Sequence, residues 1–369
     1  MPRAPRPYRR CLTRHLARAP GIAASLLAVA LFGSCWTGAA ANAAPAAPAD
    51  STAPPASPTA TGSAASAASA SSDAGPTQIR FENVEFHVAP GVVLGIRHLR
   101  GDMTSKVVGG PVVLDDKRSF VIHIESADVA LDTASLARLM NEHVFGYPGA
   151  PLRRLAFATK DGQLVQRGTL HRVVDIPFEL TAGVSVTPDG LIRIHPTAMR
   201  IFSVPGDGLM RALGLTLAGL LDLRGARGVR AEGNDLLLDP DRLLPPPTIT
   251  GRLRAVRVEP GRLVQSFGDG GAAARRETLA PPDGDVPNYL YFRGGTLRFG
   301  KLLMIGADMQ IVDLQPADPF DFSVDRYAEQ LVAGYSRSLP DLGLEVFMPD
   351  LSTLGRDAAR PGHVAGDRR

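Results

Sequence analysis

Gly295-Thr296-Leu297-Arg298-Phe299-Gly300-Lys301 has the glycine and lysine spacing of a phosphate-binding loop. In such a loop the next residue is Ser or Thr, whose hydroxyl holds magnesium, and a helix opens there. Here the next residue is Leu302 and the segment alternates like a strand, so no phosphate chemistry is read from it. Seven histidines stand beyond the first 36 residues: His87, His98, His123, His143, His171, His195 and His363. No two have the i, i+4 helical spacing of a zinc pair. Five of them (His87, His98, His123, His171 and His195) fall in strand patterns and read as polar-face residues. Asp318, Asp321 and Asp325 are spaced as at a helix start, where acids complement the helix dipole without a metal. Ser336, in Gly334-Tyr335-Ser336-Arg337-Ser338, lacks the second glycine of a nucleophile elbow. Both cysteines, Cys11 and Cys35, lie in the first 36 residues, so the folded part has no thiol nucleophile and no cysteine zinc site. These residues predict no catalytic site, no metal and no cofactor.

The elements that would position a site are mostly strands. From Val174 every second residue is apolar: Val174, Ile176, Phe178, Leu180, Ala182, Val184 and Val186. Pro188-Asp189-Gly190 is a turn signal, and a return run places Ile192 and Ile194 against Arg193 and His195. Period-two alternation of this length predicts a long antiparallel hairpin with one dry face. Strands are also predicted over Ile79–Val88, Val92–Ser105, Ser119–Leu131, Leu155–Thr159, Thr248–Val258, Tyr289–Phe292, Thr296–Phe299, Leu302–Leu314 and Leu344–Met348. Asp132 or Thr133 is placed to cap a short helix over Ala134–Phe145. A helix turn is read at Pro260–Phe267, and a helix within Asp318–Tyr335. Gly206–Leu221 predicts another helix, apolar nearly all round through Leu209, Met210, Leu213, Leu217 and Leu220. Such a helix lies in a core or against something apolar. Arg224, Arg227 and Arg230 follow among glycines; they read as solvated residues, or as a site for an anionic headgroup.

The chain's formal charge of +3 is misleading. Six arginines and no acid lie in residues 1–36, leaving 34 basic against 37 acidic residues elsewhere. That balance gives no bulk attraction for nucleic acid. The arginine-rich start, the apolar run Gly21–Gly33 and Ala41-Asn42-Ala43 form an export signal, too short for a normal membrane span. Phe32-Gly33-Ser34-Cys35 loosely matches a lipoprotein cleavage box, which would make Cys35 an acylation site. The expected organisation is an export signal over 1–43 (or one ending before Cys35), an Ala/Pro/Ser-rich disordered linker over 44–77, one β-rich domain over 78–351 and a disordered tail over 352–369. The expected place is the periplasm of a bacterium, free or anchored to the membrane facing it.

Val174–Leu180 (VDIPFEL), Thr187–Ile192 (TPDGLI) and Asp235–Leu244 (DLLLDPDRLL) give the order of elements a resemblance to the LmeA-like phospholipid-binding proteins of the tubular lipid-binding (TULIP) superfamily. The resemblance covers most of Ile79–Leu351 and is weaker from Tyr289 on. It implies an α+β fold: a strongly curved, long-stranded antiparallel sheet wrapped around one or more apolar helices. It also implies an apolar groove for acyl chains, and no catalysis. On the residues' own reading the groove would be lined by Ile176, Phe178, Leu180, Val184 and Val186 of the hairpin, with Leu209, Met210, Leu213, Leu217 and Leu220 of the helix. The expected partner is a lipid or other apolar ligand, with a membrane surface second. A β-rich envelope scaffold filled by its own side chains is the alternative. An exported hydrolase, which would need at least two acids gathered in a cleft, is the third reading.

Overall fold

In a computed structural model of the chain, the structure describes residues 75–171, 175–201, 204–205, 221–268, 279–281 and 285–354. The first strands follow from alternating apolar residues: β1 (Thr77–Ala89), β2 (Val92–Ser105), the short β3 (Val112–Val113) and β4 (Phe120–Asp132). Asp132 ends β4 and caps α1 (Thr133–Arg138), its carboxylate accepting from the backbone N–H of Ala134 and Ser135 at 2.7 Å each. A π-helical turn, Leu139–Val144, continues α1. The chain then runs through β5 (Leu152–Lys160), β6 (Gln163–His171), β7 (Asp175–Val186), β8 (Ile192–Ile201) and β9 (Val204–Pro205). After these come β10 (Val229–Glu232), β11 (Asp235–Leu238), α2 (Pro240–Leu243), β12 (Thr248–Gly251), β13 (Leu253–Glu259) and β14 (Arg262–Phe267). The last part holds β15 (Tyr289–Phe299), β16 (Leu302–Asp313), β17 (Phe320–Ser323), α3 (Tyr327–Ala333), β18 (Tyr335–Ser338) and β19 (Leu344–Met348).

The strands form two sheets. The larger has the order β13-β14-β4-β2-β1-β15-β16-β19-β18, with β12 on β4, β17 on β1 and β3 on β15. The smaller has the order β10-β11-β8-β7-β6-β5, with β9 on β8. The expected hairpin is β7 and β8, paired from Phe178↔Ile201 to Val186↔Ile192. Gly190, at φ +84°, closes its turn in a conformation that costs other residues Cβ strain.

Matched irregularities shape the larger sheet. The β1–β2 pairing passes from Glu82↔His98 to Val84↔Ile96 and skips Asn83 and Arg97. Asn83 takes a positive φ of 51°. Below this point the buried residues of β1 are Ile79 and Phe81; above it they are Val84, Phe86 and Val88. An irregular residue in each strand thus keeps the same face dry on both sides of the break. The β2–β4 register also shifts between Arg100 and Gly101, leaving Glu125 as the extra residue of β4. Buried positions on β4 accordingly move from Phe120 and Ile122 to Ala127, Val129 and Leu131. At Gly101 a Cβ would lie 2.0 Å from the His123 carbonyl oxygen, so this close crossing requires glycine.

The α+β expectation, and with it the TULIP-like arrangement of a sheet around apolar helices, is corrected. Among the described residues the chain is largely β, in two sheets that close no barrel. Its helices are short, at 6 residues for α1, 4 for α2 and 7 for α3. The physical reason is visible in the core. Leu152, Leu164, Ala182, Ile192 and Ile194 of the smaller sheet share one apolar cluster with Phe81, Phe86, Leu94 and Ile122 of the larger. Among the described residues, strand side chains of both sheets make up most of this cluster. The stripe Leu209, Met210, Leu213, Leu217 and Leu220 lies outside the described residues.

Three smaller expectations are also corrected. Pro260–Phe267 is not a helix turn, because Arg262–Phe267 pairs with β4 as strand β14. Tyr289–Phe292 and Thr296–Phe299 are one strand, since Gly294 and Gly295 adopt positive φ within β15 without ending it. Asp318, Asp321 and Asp325 do not open a helix: Asp321 sits in β17, and α3 begins at Tyr327.

Candidate functional site

The inner face of the larger sheet does not close completely. Phe81 and Phe86 of β1, Leu94, Ile96 and Leu99 of β2, and Ile122, Val129 and Leu131 of β4 border a cavity of about 70 Å³. Leu136, Leu139 and Met140 of α1 and its π turn cover one side. Ile192 of β8, Leu238 of β11, and Leu243 and Leu244 beside α2 close another, so the cavity lies where the two sheets meet. A smaller void of about 20 Å³ shares Phe81, Phe86 and Ile122 with it.

Each wall is built locally. The Asp132 cap starts α1 at the end of β4, and Ser135 Oγ accepts from Val93 N–H at 3.2 Å, pinning the helix to β2. The 3.6-residue repeat then turns Leu136, Leu139 and Met140 to one side. Phe81 and Phe86 bracket the irregularity at Asn83, with ring centroids 5.8 Å apart. Had the alternation run unbroken from Phe81, residue 86 would face outward; the break at Asn83 brings both rings to the cavity.

A single water takes about 10–15 Å³ of such space, so the cavity is several waters in size. Its only polar side chains among the described lining residues are Asp241, Thr250 and Gln265. Apolar cavities of this kind stay dry and accept apolar guests. Asp241 and Thr250 stand close together, beside Gly251. Asp241 accepts from Gly251 N–H at 3.3 Å, and burial above all pushes its carboxyl above the usual range. His123 Nδ1 lies 2.8 Å from Thr250 Oγ1, and its Nε2 lies 3.0 Å from Thr104 Oγ1.

The groove residues read from the sequence are divided by the structure. Ile176, Phe178 and Leu180 of β7 line a separate apolar void of about 40 Å³, with Leu170, Met199 and Ile201 on neighbouring strands. Val184 and Val186 pack instead against the main core. Leu209, Met210, Leu213, Leu217, Leu220 and Cys35 lie outside the described residues. The three arginines do not converge: Arg224 is paired with Asp222 at 2.7 Å, Arg230 stands 3.8 Å from Asp189, and Arg227 is exposed. The main cavity itself was missed because β1, β2, β4 and α1 read as ordinary core elements. The only signal was their density of Phe, Leu and Ile, which a filled core shares.

The five strand histidines each meet a polar partner on the sheet surfaces. His195 Nδ1 lies 2.6 Å from Asp235 and His171 Nδ1 2.7 Å from Asp175, while His98 stands 3.7 Å from Asp128. His123 meets the two threonines, and His87 approaches Asp321. Among the described residues a group of acids gathers away from the cavity, around the outer face of β1 and β17. There Asp313, Asp321 and Asp350 join a network through Asn288, Gln315 and Ser352. Burial pushes the Asp350 carboxyl up to about 6 and raises Asp313 as well.

Together these features define a two-sheet β protein with a mainly apolar cavity at the junction of its sheets. Comparison with protein-family models, with curated proteins and with solved structures finds no match for this chain. The likeness to LmeA-like proteins therefore rests on the sequence motifs alone. Among the described residues no helix is long and apolar enough to cross a membrane.

Proposed function

We propose that this chain is an exported protein of the bacterial envelope that holds a short stretch of a lipid's apolar chain in the cavity beside α1. The observation that carries the reading is the cavity, about 70 Å³ with an almost wholly apolar lining. Protein interiors rarely leave voids larger than a water, because each lining atom then loses its dispersion partners. An acyl chain restores those contacts and gains about 0.8 kcal/mol per methylene removed from water. Asp241, held by Gly251 N–H, and the adjoining Thr250 offer polar contacts to the head of an amphiphile. The arginine-rich leader, the apolar run and the small-residue cleavage signal support an envelope address.

Native mass spectrometry of the protein extracted from its own envelope tests this. Untreated protein should carry a lipid mass that delipidation removes, and equal masses would sink the reading. Ile249 of β12 also lines the cavity, and the variant Ile249→Trp adds volume there. It should lose most of the bound lipid while keeping the circular dichroism of the β fold. Unchanged lipid content in that variant would place the ligand elsewhere.

A further inference from the structure

The outer face of β1 carries a second arrangement, unrelated to the cavity. β17 pairs with β1 in parallel, setting Glu85 directly opposite Asp321 and leaving His87 two residues along on the same face. One ligand-type atom from each of Glu85, His87 and Asp321 lies within 4.8 Å of the others. Two acids directly across a strand pair repel and weaken it, unless something positive stands between them. His87 Nε2 and Asp321 Oδ1 are 2.6 Å apart. Both atoms are buried, and neither makes a hydrogen bond of acceptable geometry. Unsatisfied buried polar atoms are rare, and an ion shared between the two would satisfy both.

Asp321 is also held as a ligand would be. Ser352 N–H donates to its second carboxylate oxygen at 2.9 Å, and its own backbone N–H donates to Asp350 Oδ1 at 2.9 Å. Such outer contacts fix the orientation of a metal-binding carboxylate.

We propose that Glu85, His87 and Asp321 form a binding site for one divalent zinc-type ion that joins β17 to β1. Imidazole with two carboxylates suits zinc, whereas calcium takes six to eight oxygens and magnesium a near-ideal octahedron of oxygens. Ligand bonds of about 2.0–2.1 Å in a tetrahedron set ligand atoms about 3.3 Å apart. His87 and Asp321 need to separate by less than about 1 Å to reach that spacing. Glu85 is exposed at the rim and free to swing inward. Three protein ligands leave the fourth position to water. The ion would cancel the Glu85–Asp321 repulsion and tie the β17 segment, with the Asp350 network behind it, to the centre of the larger sheet.

The test is a titration of the chelator-stripped full chain with zinc sulfate, followed by calorimetry and native mass spectrometry. One zinc per chain is expected, with a rise in melting temperature. Asp321→Asn and His87→Ala should each weaken that binding at least about tenfold, since even outer-shell losses commonly cost that much. Glu85→Gln, at an exposed position, keeps the fold and should weaken binding in the same direction. Calcium and magnesium should produce no comparable shift. Absence of zinc binding by the wild type overturns the proposal. So does zinc binding of unchanged affinity in the Glu85 and His87 variants, which would place the ion on the leader cysteines or other histidines.

Discussion

The two faces of β1 are held by different physics. Inward, Ile79, Phe81, Val84, Phe86 and Val88 are each at most 4% exposed, with Phe81 against Phe292 and Phe86 against Phe322. Outward, the same strand presents Arg80, Glu82, Glu85 and His87, and its direct neighbours repeat its charges. Arg80 stands opposite Arg100, and Glu85 opposite Asp321. The inner face is stabilised by area removed from water and by close packing, which involve no titrating group. The outer face depends on how like charges are compensated, which changes with pH, salt and bound ions. One strand can therefore wall a cavity and carry an ion site, because its side chains alternate between media of very different polarity.

The largest break in this contrast is on the inner side. Phe81→Ala removes a ring that touches Phe86 and Phe292 at 5.8 Å and opens further space onto the existing cavity. It should cost about 3–5 kcal/mol of stability, read from the urea midpoint. A loss below about 1 kcal/mol would mean that the inner face collapses freely, against the packing described.

A middle-sized effect belongs to the acid network behind Asp321. The Asp350 carboxyl titrates at about 6 in the folded chain, above its ordinary 3.8, with burial as the main cause. A group raised by folding favours the folded state when protonated. Its contribution is complete below about pH 4 and disappears as pH rises through about 6. Asp350→Asn keeps an oxygen for the Asp321 N–H and removes the titration. Between pH 4 and pH 7 the wild type should lose about 1–2 kcal/mol relative to that variant, after allowance for screening by water. Parallel pH profiles for the two proteins would remove Asp350 from the account.

The smallest effect is expected at the Arg80–Glu82 ion pair, 2.9 Å long and partly exposed. Glu82→Gln should change stability by under about 1 kcal/mol, and by less at high salt. A larger, salt-independent loss would show that the outer face is locked as firmly as the inner one.

Much of the fold is legible in the chain itself. The hairpin of β7 and β8, its Asp189-Gly190 turn and the Asp132 cap follow from local alternation, turn chemistry and capping. Arg262–Phe267 was misread because Pro260 and Gly261 resemble a helix entrance, whereas pairing with β4 makes it a strand. Part of the apolar lining, Ile176, Phe178 and Leu180, came from one-sided alternation, yet the larger cavity did not. A core strand and a cavity wall have the same composition, and only the fit between facing elements distinguishes them.

The sequence by itself determined which residues alternate, where turns and caps stand, and that the folded part contains no cysteine. Tertiary structure decided three further things. It brought a second sheet against the first. It reset which side chains point inward at Asn83, Arg97 and Glu125, because inward facing after a bulge depends on the neighbouring strand's register. It also set Asp321 beside His87, although 234 positions separate them in the chain. Local pattern records the preference of each residue for a wet or dry side; the partner across the sheet is fixed only by chain closure.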